Sequence, residues 1–224
     1  GNKWFETALE NGHSQAQFDM GYWYLYADES RTNMIRGVEL YIKSAEQENH
    51  MAQHDLGMLY LLGIAVEQDN NVAFTWFKRA AEAGFAKSQT NVGNAYFDGV
   101  GVEQDLNQAF RWYEMAAKQG EAVAQTQIGH YYYEGWGNIK KSLSKAKRWY
   151  GKAAEQEDPE ALYALGWMYI SGEGAIQNIK KGKKLLQKSA TLGFDAQEDL
   201  KHIRNTQIKY WLKWTGTQLK WVGT

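Results

Sequence analysis

The sequence predicts an all-α solenoid, a stack of similar helical hairpins, and three observations predict it. A glycine recurs at Gly21, Gly57, Gly93, Gly129 and Gly166, spaced 36, 36, 36 and 37 residues apart. An alanine keeps the same step at Ala45, Ala81, Ala117, Ala154 and Ala190. Two unrelated marks on one period mean that a single supersecondary unit is stacked again and again. The third observation is a single proline, Pro159, in 224 residues, as expected of a chain that is helical almost throughout, because helix interiors exclude proline. Such an array contacts only its neighbours and presents a long surface in place of a central crevice. That favours binding over catalysis.

The elements follow in order. Residues 1–13 carry Trp4, Phe5, Ala8 and Gly12 at the spacing of Trp76, Phe77, Ala80 and Gly84, and read as the second helix of a preceding, partial repeat. Residues 14–197 hold five repeats. The third shows the plan best: a first helix over about 88–97 with Val92, Gly93 and Tyr96, a loop over 98–104, and a second helix over 106–118. Ala109, Trp112, Tyr113, Ala116 and Ala117 share one face of that second helix. Asn33, Asp69, Asp105, Ser142 and Asn178 stand where each second helix should be capped. A mid-helix glycine costs roughly 1 kcal/mol against alanine, so five of them imply close helix approach. The tyrosines three residues on (Tyr24, Tyr60, Tyr96, Tyr132 and Tyr169) are expected to fill the space beside them. Residues 198–224 read as a capping helix and tail, with Leu200, Ile203, Tyr210 and Trp214 on one helical stripe. The chain opens at Gly1 rather than at a methionine, which reads as a processed product or a fragment and leaves room for an upstream targeting segment.

At these residues the chain resembles the Sel1-like repeat, a relative of the tetratricopeptide repeat with a longer loop. The second copy reads Ala52-Gln53, Leu56-Gly57, Tyr60, Gly63, Val66, Ala73, Trp76-Phe77, Ala80-Ala81 and Gly84. The third reads Gln89, Val92-Gly93, Tyr96, Gly99, Gly101-Val102, Ala109, Trp112-Tyr113, Ala116-Ala117 and Gly120. The resemblance implies a right-handed α/α superhelical solenoid and a role as an adaptor in protein complexes, many bacterial members serving at the envelope or in host interaction. A bacterial immunity protein that neutralises a secreted effector is the alternative it leaves open, and a hydrolase the remote one. Departures gather at the ends: Ala27 replaces the loop glycine and Leu40 the tryptophan in the first repeat, and Gly182 and Leu185-Leu186 replace the helix alanine and aromatic pair in the fifth.

Composition bounds the chemistry. Cysteine is absent, which removes disulfides, thiolate catalysis and cysteine-based metal sites. The compartment stays open between cytoplasm and a periplasmic or secreted location. Only His50 and His54 have a metal-like spacing, and Met51, Ala52 and Gln53 between them supply no catalytic base, so no metal and no cofactor is expected. A nucleophile elbow, a Walker loop and a dinucleotide glycine motif are missing, and no enzymatic activity is expected. Residues 1–138 carry 9 Lys+Arg against 18 Asp+Glu, whereas 139–224 carry 16 against 8. The basic half points to an acidic partner surface, with Lys180, Lys181, Lys183 and Lys184 as candidate contacts; its bland reading is a solvated face. Nucleic acid is not expected, since no recognition motif accompanies the lysines. The mix of cations and aromatics in 209–214 also fits a membrane surface; the cap reading uses the same aromatics as core and is preferred.

By analogy with the tetratricopeptide relative, the first helix of each pair lines the concave side. Residues three before, one after and four after the marker glycine then point into a groove that binds a peptide or helix of a partner protein. They are Phe18, Tyr22 and Leu25; His54, Met58 and Leu61; Thr90, Asn94 and Phe97; Thr126, His130 and Tyr133; and Tyr163, Trp167 and Ile170. No Asp, Glu, Lys or Arg is among these fifteen, in a chain that is 23% charged. A face built only for solubility would carry Lys and Glu, whereas an uncharged, aromatic face is what a ligand would cover. Tyr133, Tyr163 and Trp167 are the expected centre of that site.

Overall fold

The computed structural model describes residues 7–9, 11–26, 30–196 and 200, with the backbone of 211–215 and 218–222. It falls into two compact halves, the first ending at Gln119 and the second beginning at Gly120. The N-terminal half holds α1 (Ser14–Tyr26), α2 (Arg31–Glu46), α3 (His50–Leu62), α4 (Asn70–Glu82), α5 (Ala86–Asp98) and α6 (Leu106–Lys118). The C-terminal half holds α7 (Ala122–Glu134), α8 (Leu143–Glu155), α9 (Pro159–Ser171), α10 (Ile179–Thr191), β1 (Trp211–Thr215) and β2 (Gln218–Val222). Odd-numbered helices are the first of each repeat and even-numbered ones the second. Within each pair the two pack on each other. Residues 7–9 are helical, and the rest of the expected N-terminal helix before Thr7 lies outside the described residues.

Each second helix has a defined start. Asp69 caps α4 by accepting from the backbone N–H groups of Asn71 and Val72, and Asp105 does the same for Asn107 and Gln108 in α6. Such a cap is worth about 1 kcal/mol. Asn178 caps α10, and Ser142 occupies the cap position of α8 without a side-chain bond. Asn33 is not a cap. The cap of α2 stands three residues earlier, where Ser30 accepts from the N–H of Asn33. The loops are pinned as well: the N–H groups of Asp69, Asp105, Ser142 and Asn178 donate to the carbonyls of Tyr60, Tyr96, Tyr132 and Tyr169. Gln68, Gln104 and Gln177 add side-chain clips to the carbonyls of Leu61, Phe97 and Ile170.

The marker glycines are packing residues, but the ring they accommodate comes from the second helix. A Cβ on Gly93 would stand 2.6 Å from the Tyr113 ring, and one on Gly57 would stand 2.5 Å from Phe77. Gly21 and Gly129 meet Tyr41 and Tyr150 in the same way. The tyrosines three residues after the glycines instead sit half-buried beside the next helix, with Arg36 over Tyr24, Lys145 over Tyr132 and Lys181 over Tyr169. The sequence expectation had the right glycine and the wrong ring, because a helix side chain leans toward its own N-terminus and leaves the crossing point to the facing helix.

Buried glutamines stitch successive hairpins. Gln53 donates to the Ala45 carbonyl at 3.0 Å and Gln89 to the Ala81 carbonyl at 3.1 Å, each from a first helix to the second helix of the preceding repeat. Their carbonyl ends are used too: Gln119 donates to Gln89, Gln47 to Gln17 and Gln156 to Gln125. In the fifth repeat both members of this pair are leucine, Leu162 and Leu192. The second repeat has Ala83 at the partner position, and there the Gln53 carbonyl oxygen lies 3.4 Å from His50 Nδ1.

The C-terminal segment departs from expectation. Trp211–Thr215 and Gln218–Val222 pair as antiparallel strands, Trp211 opposite Val222 and Thr215 opposite Gln218. The expected capping helix therefore does not run through Trp214, and 211–214 forms no surface helix for a membrane; 201–210, with Ile203 and Tyr210, lies outside the described residues. Two β-prone runs separated by two residues, one of them Gly216, are a hairpin signal. Four apolar residues at helical spacing were too few to outweigh it.

Candidate functional site

The position one residue past the marker glycine shows how the first-helix face is built. In the third repeat it is Asn94, whose Oδ1 accepts from the Tyr113 hydroxyl at 2.7 Å. In the fourth it is His130, whose Nδ1 bonds the Tyr150 hydroxyl at 2.6 Å while Nε2 reaches Glu160 at 3.1 Å. In the second and fifth it is apolar, Met58 and Trp167, and the second-helix residue has lost its hydroxyl, being Phe77 and Leu186. The first repeat differs: Tyr22 turns outward and the Tyr41 hydroxyl bonds Asp55 at 3.3 Å.

Of the fifteen expected groove residues, the structure leaves some on the surface and removes others. Leu25, Thr90, Thr126, His130, Tyr163, Trp167 and Ile170 are buried. Trp167, expected to be a binding hot spot, is only 5% exposed and packs with Tyr163, Ile170, Leu186 and Ala196. Phe194 packs at a tilt against Tyr163 with ring centres 4.8 Å apart. The expectation fails here because an uncharged position on a repeat is as much a core signature as a binding one. Thr126 donates to Asp158 at 2.9 Å, and burial raises the Asp158 carboxyl above its usual range. Tyr133 is half-buried and donates to Glu173 at 2.9 Å.

The N-terminal half keeps a more open face. Tyr22 is 55% exposed and Tyr26 57%, their ring centres 4.7 Å apart. Phe18, His54, Met58, Leu61, Asn94 and Phe97 are half-buried. Phe18 stacks on Tyr41 at 5.1 Å. His54 bonds Ser88 through Nδ1 at 2.9 Å, and burial, with Lys87 nearby, lowers its pKa to about 4. Ser88 stands where the other repeats have Ala16, Ala52, Ala124 and Ala161, so this bond has a trace in the sequence. Between α3, α4 and α5 lies a recess of about 240 Å³, lined by Leu61, Phe74, Phe77, Asn91, Asn94 and Asp98 among others. Leu61 and Asn94 were expected at the surface site; Phe74, Asn91 and Asp98 were not, because they fall off the chosen helical stripe.

The four candidate lysines are not equivalent. Lys181 donates to the Tyr169 hydroxyl at 2.8 Å and lies over that ring, while Lys180 and Lys184 are exposed. Lys183 is half-buried. Lys141, Lys147 and Lys152 also stand over rings, those of Tyr133, Tyr169 and Trp149. Part of the basic charge therefore serves packing. Among the described residues no cluster of His, Asp and Glu could hold a metal, and no helix is long and apolar enough to cross a membrane.

Five two-helix units that share a crossing glycine, four of them with a ring against it and a first-helix glutamine, define a helical repeat protein of the α-solenoid class. The Sel1 repeat model matches five times, at 14–49, 50–85, 86–121, 122–158 and 159–194. The chain belongs to the Sel1 repeat family. No curated protein matches it. Among solved structures, it is similar to a protective antigen present in uropathogenic Escherichia coli strains and displaying an SLR fold. They share 33% identity and a TM-score of 0.80 over 90% of this chain, and the chain spans 43% of that antigen. It is also similar to a Sel1 repeat protein from Oxalobacter formigenes, with 29% identity and a TM-score of 0.80 over 86% of this chain and 76% of that one. An immunity protein from Pseudomonas aeruginosa shares the fold at 23% identity and a TM-score of 0.53, over 80% of this chain and 66% of that one. Sel1 repeat proteins are generally non-enzymatic scaffolds that bind other proteins.

Proposed function

We propose that this chain binds a segment of a partner protein across the first-helix face of its N-terminal half. The observation that carries the reading is the uncharged row of exposed Tyr22 and Tyr26 and half-buried Met58, Leu61, Asn94 and Phe97, beside a recess left open among the described residues. Tyrosine and phenylalanine supply contact area at small entropic cost, and the Asn94 amide can bond a peptide backbone. An acidic stretch of the partner meeting Lys180 and Lys184 is the electrostatic part of the proposal. The immunity reading has a structural neighbour of that description, whose identity carries the fold alone.

The test is affinity capture from the native source with mass spectrometry, run in parallel with a Tyr22→Ala, Phe97→Ala double variant. A partner retained by the native chain and lost from the variant supports the face. One held equally by both places the contact elsewhere. A secreted toxin as that partner would select the immunity reading over the adaptor.

A further inference from the structure

The recess between α3, α4 and α5 has a local cause. Two residues past the marker glycine the repeats carry Trp23, Leu59, Ala95, Tyr131 and Met168. Leu59, Tyr131 and Met168 are buried and fill their repeats, while Trp23 stands exposed. Ala95 alone is small, and it lines the recess. The space is therefore the volume that Leu59, Tyr131 and Met168 occupy in their repeats and that Ala95 leaves open. At about 240 Å³ it lies below the roughly 300–1,000 Å³ typical of pockets for whole small molecules, and it suits one inserted side chain.

The walls say which side chain. Leu61, Phe74, Phe77 and Ala95 make a mostly apolar slot, and Asp98 stands at its rim. No lysine or arginine lines the recess, and Asp98 has no ion-pair partner among the described residues. Asp98 is exposed, and its partial desolvation on the recess side raises the carboxyl above its ordinary value, so a cation laid beside it there favours the ionised form. Long cationic side chains lay an apolar stem along such a slot and keep the charged head at its mouth. A leucine would leave the carboxylate uncompensated, and an acidic residue would repel it.

We propose that the recess is a specificity pocket for a single arginine or lysine side chain of the bound partner segment. This rests on the protein-binding reading of the same face, and names the residue that the face selects. Asn91 and Asn94, which also line the recess, are placed to bond the backbone on either side of that residue.

The experiment uses the full chain and alanine-flanked, capped pentapeptides carrying arginine, lysine, glutamine or leucine at the centre, titrated while backbone amide resonances are followed. The arginine and lysine peptides should shift the amides of Ala95 and Asp98, and the glutamine and leucine peptides should bind more weakly. Asp98→Asn should weaken the cationic peptides by up to roughly fivefold, the worth of a half-exposed ion pair, and erase their advantage over glutamine. Ala95→Leu, which places in the third repeat what Leu59 places in the second, should abolish the shifts while the melting temperature holds or rises. Equal binding of the glutamine and arginine peptides, or arginine binding that survives Ala95→Leu, overturns the pocket. These peptide outcomes are read independently of partner capture on the Tyr22→Ala, Phe97→Ala variant. A pocket without a captured partner would sink the protein-binding reading, and the reverse result would sink the pocket.

Discussion

Asn94 and Trp167 occupy the same place in their repeats, one residue past the marker glycine, yet they meet opposite surroundings. Asn94 is half-buried beside a recess, its amide held by Tyr113. Trp167 is shut inside a cluster with Tyr163, Leu186 and Ala196, with Phe194 packed against it. The N-terminal half thus leaves its first-helix face partly open, and the C-terminal half closes much of the corresponding face. In a stacked array each repeat is filled on its own account. A binding surface arises where a filler is missing, and a run of uncharged residues along the helices does not by itself mark one.

The contrast is broken most severely at Trp167. Trp167→Ala should cost about 3–5 kcal/mol, as truncation of a large buried ring does, and a thermal melt reads it directly. A loss below about 0.5 kcal/mol, ordinary for surface positions, would return Trp167 to the binding face. The next effect is at the crossing points common to both halves. Gly93→Leu forces a side chain into the Tyr113 ring and should cost about 3 kcal/mol, the upper end of ordinary overpacking. An unchanged melting temperature would remove the close-approach account of every marker glycine.

Acid should sharpen the contrast from the N-terminal side. Folded His54 takes its proton only near pH 4, whereas the unfolded chain takes it near 6.5. Its contribution to stability is therefore whole above pH 6.5 and is lost as the pH falls toward 4, about 2 kcal/mol once the exposed part of the ring is allowed for. Burial raises the carboxyls of Asp55 and Asp158, which acts in the opposite direction as the pH falls. The comparison of native chain and His54→Gln by denaturant unfolding at pH 7 and pH 4.5 isolates the histidine. Equal acid losses in both would contradict its assignment. A smaller gain is expected at Ala95, where Ala95→Leu should add about 0.5–2 kcal/mol by filling space. Tyr22→Ala should be the smallest, within about 0.5 kcal/mol in stability, because its ring is largely in solvent. Its loss should appear in partner affinity instead, at about 2 kcal/mol or roughly thirtyfold.

The repeat, its period and its helix limits were legible in the sequence because they rest on local chemistry repeated five times. Glycine at the crossing, Asp or Asn at the second-helix cap and alanine on the packed face each speak independently of the rest of the fold. The first repeat shows the limit of this reading: Ser30 caps α2 in place of Asn33, since a copy that departs from the pattern of the others carries no internal check. Residues 211–214, outside the repeat, were misread as helix for the same reason.

The sequence by itself determined a stack of Sel1 hairpins with an uncharged first-helix face, because period, caps and polarity are properties of neighbours along the chain. Which of those uncharged residues face a partner was decided only by tertiary packing. Burial depends on what the facing helix brings to the same volume: Phe194 and Leu186 around Trp167, and Ala95, too small to close its own repeat, beside Asn94. Five aligned copies made the polar matches readable afterwards: Asn94 with Tyr113, His130 with Tyr150, and Met58 and Trp167 with Phe77 and Leu186. The recess needed the structure, since a missing side chain has no signal until its neighbours define the space it leaves.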